Sequence, residues 1–126
     1  MVDIRLKTRC YPTENRERIV KAMMALFPDA EVSGTDELEA VSHSAGAFGE
    51  QLRRQRIRDS ARAVLRRGVR GNTTSFRLNK QVAAVGKISF SEEEHPLGDI
   101  IVEISASDIG ILIDEIAPST RMVSAR

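Results

Sequence analysis

Apolar and charged residues alternate along residues 2–10, so that neighbouring side chains belong to opposite faces. One face would carry Ile4, Leu6, Thr8 and Cys10, and the other Asp3, Arg5, Lys7 and Arg9. A period of two residues is typical of a β-strand with one face in the core and the other in water. The sequence therefore opens with a half-buried strand.

The next two elements are predicted to be a helix and a short hairpin. Thr13 stands where an N-cap would, and an apolar stripe continues to Phe27 before Pro28 stops the helix. Residues 30–41 alternate more weakly around a Ser-Gly-Thr-Asp turn, which indicates a hairpin.

Residues 44–67 have a helical pattern whose apolar stripe changes direction. At 100° per residue, Phe48 and Leu52 fall on one side, whereas Ala61 and Leu65 fall on nearly the opposite side. A straight helix could not bury both stripes against one sheet. Either the helix breaks near the Arg-Gln-Arg stretch in its middle, or a second copy of the chain covers the first stripe in a homodimer.

The second half of the chain alternates again and closes with a helix. Strands are predicted at 73–78, 87–90 and 99–106, a loop or single turn at 79–87, an acidic turn at 92–98, and a helix capped by Asp108 that ends at Pro118. The order β-α-β-β-α-α-β-β-β-α predicts an α+β fold. We expect one domain over residues 1–118, a mainly antiparallel sheet with helices packed on one side, and a C-terminal tail at 119–126.

Charge is distributed very unevenly along this pattern. The whole chain has a formal net charge of +1, yet the stretch from Arg53 to Lys87 holds eleven Lys or Arg residues and one acid, Asp59, a net charge of +10. The remainder carries −9. A protein divided in this way should have a strongly positive surface that attracts polyanions.

Composition sets the remaining bounds. A chain of 126 residues with 41% hydrophobic residues can build one well-packed core. Its longest aliphatic run, residues 82–85, is far shorter than a membrane span, and the N-terminus lacks an apolar signal-peptide stretch, so we expect a cytoplasmic protein. The single cysteine, Cys10, cannot form an internal disulfide.

Residue types that could support catalysis are not arranged for it. His43 and His95 are far apart and match no metal-ligand spacing, and the acids at 92–94 read as a solvated turn. Cys10 belongs to the inward-facing set of its strand. We therefore expect no enzymatic activity, no metal and no cofactor.

Arginines at helical spacing supply the candidate binding surface. Arg58, Arg62 and Arg66 lie at i, i+4 and i+8 and would form one solvent-facing ridge, with few acids nearby to neutralise it. The chain has four Phe, one Tyr and no Trp, too few for a base-stacking platform, which favours contacts to the phosphate backbone of structured RNA. The alternative is that acids elsewhere in the fold, or in another subunit, neutralise the ridge.

Several stretches together resemble a known archaeal family. They are "QRIRDSARAVLRRG", "TSFRLNKQVAAVGKISF", "PLGDIIVEI" and "LIDEIAPST", and the similarity extends over nearly the whole chain. Members of that family are described as predicted exosome subunits or RNA-binding proteins. The resemblance implies a fold like that of the large-subunit ribosomal protein that binds 5S rRNA, a homodimer, and no catalytic residues.

These observations predict a non-catalytic protein that binds structured RNA, such as rRNA or exosome substrates, with an accessory role in RNA processing or at the ribosome. The expected RNA contacts are Arg58, Arg62, Arg66, Arg70, Arg77, Asn79, Lys80, Gln81 and Lys87. Residues 79–81 would supply donors from one exposed loop. Two alternatives remain open: a protein that binds a small phosphorylated metabolite or nucleotide in this loop, and a dimeric protein-interaction module.

Overall fold

A computed structural model describes residues 2–91 and 98–118. Over these residues the chain forms six antiparallel strands in the order β2-β3-β1-β6-β5-β4. The strands are β1 (Val2–Arg9), β2 (Glu31–Ser33), β3 (Glu37–Ser42), β4 (Val69–Arg70), β5 (Thr73–Asn79) and β6 (Asp99–Ala106). The helices are α1 (Arg16–Leu26), α2 (Gly46–Arg54), α3 (Arg58–Arg67), α4 (Lys80–Ala83) and α5 (Ile109–Ile116). The expected α+β fold, with helices on one side of an antiparallel sheet, is confirmed.

Strand β1 lies in the middle of the sheet and follows the predicted alternation. Ile4, Leu6 and Thr8 are buried beneath the helices, whereas the intervening charged residues are exposed. The strand pairs with β3 on one side and β6 on the other. The opposite face of the sheet, here called the open face, presents polar and charged side chains that no helix of the described residues covers.

Helix α1 begins two residues later than the sequence predicts. The side chain of Asn15, not Thr13, caps it by accepting a hydrogen bond from the Glu17 amide at 2.9 Å. The residues before it form a turn, in which the Glu14 amide donates to the Tyr11 carbonyl at 2.9 Å. The predicted hairpin is present, and Gly34 supplies its turn with a φ of +100°.

The helical stretch at 44–67 breaks in its middle. Arg56 has a φ of +58°, which ends α2 and redirects the chain into α3. Phe48 and Leu52 on α2, and Leu65 on α3, are all 0% exposed in the same core. The helix break therefore accounts for the change of stripe, and the interpretation of Phe48 and Leu52 as a dimer contact is wrong.

The side chain of Gln55 fixes this break. Its amide nitrogen donates to the Ile88 carbonyl at 2.9 Å, and its oxygen accepts from the Ile88 amide at 2.7 Å. These bonds occupy main-chain groups that a strand would need, and the predicted strand at 87–90 is reduced to one bridge between Leu78 and Phe90. That strand prediction is wrong.

The remaining elements agree with the sequence more closely. Strand β6 has the predicted bounds, and the Asp108 side chain caps α5 by accepting from the Ile111 amide at 3.1 Å. The segment expected as a loop or single turn contains the one-turn helix α4. Most of the predicted acidic turn, residues 92–97, and the predicted tail at 119–126 lie outside the described residues.

Candidate nucleic-acid interface

The arginine ridge on α3 is interrupted by an ion pair. Arg66 is exposed and Arg58 is half-buried, but the Arg62 side chain is only 17% exposed. Its guanidinium lies 2.5 Å from the Asp114 carboxylate and donates to the Ala117 carbonyl at 3.2 Å. Because α5 packs against α3 and supplies these acceptors, the prediction that Arg62 faces solvent is wrong.

Lys80 is not in an exposed loop either. It is 3% exposed, and its ammonium group donates to the Arg9 carbonyl at 2.7 Å and to the Glu14 carboxylate at 2.9 Å. The ring of Tyr11 lies 5.4 Å from the same nitrogen. Three partners therefore surround this cation, and its charge joins the start of α4 to the turn before α1.

Asn79 lies at the start of α4, beside Lys80, and hydrogen-bonds to the backbone. Its side-chain oxygen accepts a hydrogen bond from the Val82 amide at 2.9 Å and so caps α4. Gln81 and Lys87 are exposed, as the sequence predicts. The groove beside α4 is also lined by Glu14, which would repel an anionic ligand.

The other predicted contacts lie where α3 meets the edge of the sheet. Arg70 is exposed on β4 opposite Thr73, and Arg77 is half-buried on β5 opposite Ile101. Directly paired residues of antiparallel strands share a face, so both arginines lie on the open face. Gly68 ends α3 and pairs with Ser75, which brings the end of the helix beside them.

Arg67 belongs to this group, although the sequence analysis did not select it. It is exposed in the last turn of α3 and lines the same cleft as Arg77. The periodicity of the helix alone could not identify it, because its proximity to Arg77 depends on the return of the chain through β4 and β5. We refer to the four residues Arg66, Arg67, Arg70 and Arg77 as the basic edge.

The cleft at the basic edge has a volume of about 450 Å³. Val64, Phe76 and Phe90 form its apolar lining, and its polar lining consists of the two arginines with Ser75 and Ser91. Two backbone hydrogen bonds join residues of its lining: the Ser75 amide donates to the Gly68 carbonyl at 3.2 Å, and the Ser91 amide donates to the Arg77 carbonyl at 3.0 Å.

Arginines at the end of α2 are neutralised locally. Arg53 hydrogen-bonds to Glu50, which lowers the pKa of that carboxyl below its usual value, and Arg54 lies 3.7 Å from the same carboxylate. Arg56, in the break between the helices, is exposed. Glu50 therefore offsets part of the positive charge at the end of α2.

Residues considered for catalysis do not converge in the described part of the chain. His43 is exposed, and its Nδ1 lies 3.0 Å from the Val2 carbonyl and 3.3 Å from the Asp3 carboxylate. Cys10 is half-buried, while His95 and the acids at 92–94 lie outside the described residues. Within residues 2–91 and 98–118, no group of three His, Cys, Asp or Glu side chains could hold a metal ion. No helix there has the length and apolarity that a bilayer crossing needs.

A match to a protein-family model identifies the class of this protein. Residues 3–106 match a family model described as RNA binding. This match covers the sheet except for Val2, and it includes the basic edge, so the fold and the charged surface described above belong to a domain of an RNA-binding family.

The chain belongs to the archaeal UPF0201 family. It is 42% identical over 130 residues to the UPF0201 protein of Sulfurisphaera tokodaii, with 95% of this chain and 90% of the relative covered. It is 37% identical over 124 residues to the UPF0200/UPF0201 protein of Archaeoglobus fulgidus, but spans only 38% of that longer protein. The crystal structure of the UPF0201 protein from Methanococcus jannaschii superimposes with a TM-score of 0.87 at 37% identity, over 94% of both chains. The expected archaeal, RNA-binding family is thus confirmed.

Proposed function

We propose that this protein binds structured RNA without catalysis, and that the basic edge makes the principal contacts. The observation that carries the proposal is the cleft that Arg67 and Arg77 share where α3 meets β5, with Arg66 in the last turn of α3 and Arg70 on β4, the strand that follows α3. The RNA-binding description of the family model supports it. Arg58, Gln81 and Lys87 are proposed as further contacts, because Gln81 and Lys87 are exposed and Arg58 is half-buried.

Phosphate recognition follows from the chemistry of these side chains. A guanidinium carries a permanent charge and presents several donors in one plane, which suits it to phosphate oxygens. Arg62, Asn79 and Lys80 are left out of the proposed contact set, because the Arg62 and Lys80 side chains are largely buried in ion pairs and Asn79 caps α4. An accessory role in RNA processing, with the exosome, or at the ribosome remains part of this proposal.

The metabolite alternative has less support. It depended on Lys80 offering its charge in an exposed loop, but Lys80 is buried and paired with Glu14. An anion in that groove would have to compete with the carboxylate already present.

We also propose that two copies pair through the part of the open face formed by β3 and β1, which β6 separates from Arg77 on β5. Val41 is 45% exposed there and lies opposite Arg5 of β1. A paired copy would cover this apolar side chain. Val41→Lys is expected to shift the protein to monomer in sedimentation velocity, and a variant that remains dimeric would contradict this placement.

A charge-reversal pair tests the RNA proposal. Arg66→Glu with Arg70→Glu is expected to weaken binding to a fluorescein-labelled RNA hairpin at least tenfold, since both exposed cations become repulsive to phosphate. The matched control is Arg18→Glu with Lys21→Glu, which makes the same charge change at exposed positions of α1. Equal losses in the two variants, measured by fluorescence anisotropy, would show that net charge alone matters and would contradict the assignment to the basic edge.

A further inference from the structure

The cleft at the basic edge combines an aromatic surface with cations. Phe90 is half-buried, and its ring meets that of Phe76 edge-to-face, with centroids 5.7 Å apart and planes at 66°. Phe76 itself is 5% exposed and forms the deeper part of the lining. Among the described residues, Phe90 is the only phenylalanine that the core does not fully enclose, because Phe27 and Phe48 are 0% exposed.

The cleft that Phe90 lines also has a polar lining. Arg67 lies on the helix side and Arg77 on the strand side, so that cationic groups flank the apolar lining. The hydroxyl of Ser91 donates to the Asp99 carboxylate at 2.9 Å, and its oxygen can still accept a hydrogen bond. The volume of about 450 Å³ falls within the range of about 300–1,000 Å³ found for small-ligand pockets.

We propose that this cleft holds one unpaired base of the bound RNA. The base stacks on Phe90, and the phosphates on either side of it approach Arg67 and Arg77. This inference rests on the proposed function and specifies its substrate, a helical RNA with a bulged or looped-out nucleotide. Proteins that read RNA commonly take such bases from loops and bulges and stack them on aromatic rings.

The geometry favours one base over a longer single strand. A single-strand platform needs successive aromatic rings along a groove, and the described residues place only Phe90 in this cleft with a partly accessible ring. Tyr11, the single tyrosine, lies elsewhere, beside the guanidinium of Arg9 and the ammonium of Lys80. Stacking here therefore adds to the backbone contacts of the basic edge at one position of the RNA.

Two RNA hairpins that differ by a single bulged adenosine test the proposal. The wild-type protein is expected to bind the bulged hairpin about tenfold more tightly, a typical effect of stacking one base on an aromatic side chain. Phe90→Leu retains an apolar side chain but removes the ring, and should abolish this preference while leaving affinity for the fully paired hairpin unchanged. Phe90→Tyr retains the ring and should keep the preference.

A fluorescent base reports the contact directly. With 2-aminopurine at the bulge, binding by the wild-type protein and by Phe90→Tyr should change the emission, whereas binding by Phe90→Leu should not. Equal affinity of the wild-type protein for the two hairpins, or a preference retained in Phe90→Leu, would overturn the base-binding inference and leave the proposed function intact. Failure to bind either hairpin would overturn both.

Discussion

Replacing Lys80 with methionine is expected to destabilise the fold without weakening RNA binding. The ammonium group is 3% exposed and donates to the Glu14 carboxylate at 2.9 Å and to the Arg9 carbonyl at 2.7 Å. Methionine preserves much of the apolar stem but provides no donor, so that both acceptors lose the hydrogen bond from residue 80. The sequence alone, in contrast, predicts that Lys80 contacts RNA.

The size of this effect follows from the burial of the pair. Removing one partner of a buried ion pair costs about 3–5 kcal/mol. Glu14 retains a hydrogen bond from the Tyr11 amide at 3.1 Å, and 12% of its side chain remains exposed, so we expect a smaller loss than this, about 2–3 kcal/mol. For a domain of this size, the unfolding midpoint should fall by roughly 6–12 °C.

Urea unfolding followed by far-ultraviolet circular dichroism measures the loss. Lys21→Met, at an exposed position of α1, is the matched control and should change the free energy of unfolding by less than about 0.5 kcal/mol. Adding Glu14→Leu to Lys80→Met removes the stranded carboxylate and should restore part of the stability. A Lys80→Met protein as stable as the control, or one with much weaker hairpin binding, would refute the reasoning.

Three further substitutions test the packing. Gly68→Ala should lower the free energy of unfolding by about 2 kcal/mol or more, because its Cβ would lie 2.2 Å from the Ser75 carbonyl oxygen; denaturant titration measures this. Phe48→Ala should cost about 3–5 kcal/mol in the same titration, since the ring stacks on Phe27 at 5.3 Å within the core; a small loss would argue against its burial. Asp29→Asn should lower the thermal midpoint at neutral pH, because hydrogen bonds from Ser42 and the His43 amide hold the pKa of Asp29 below 3.8, its ordinary value. That carboxylate stabilises the fold above its unfolded-state pKa, so the difference from wild type should disappear as the pH falls through the lower folded-state pKa.

Elements with strong periodicity could be predicted from the sequence. The alternation in β1 depends only on which face meets the core, and the structure has the same inward set of Ile4, Leu6 and Thr8. The reversal of the apolar stripe between Phe48 and Leu65 indicated a break in the helix. It could not show that Gln55 holds the break, because Ile88 is distant in sequence.

The candidate site was less predictable, because long-range partners decide which cations are buried in ion pairs. Lys80 pairs with a carboxylate 66 residues earlier in the chain, and Arg62 pairs with Asp114 on the closing helix. Neither of these ion pairs can be predicted from helical spacing. Arg67 was missed for the related reason that only the folded sheet brings it beside Arg77.

The dependence of RNA affinity on salt tests most directly whether the basic edge binds phosphates. If its four arginines each neutralise one phosphate, the slope of log K against log salt should be about −3.6 for a paired RNA hairpin. Arg66→Gln with Arg70→Gln should make this slope shallower by about 2, whereas Arg18→Gln with Lys21→Gln should leave it unchanged. A slope that is the same in the wild-type protein and the Arg66/Arg70 variant would contradict the central claim.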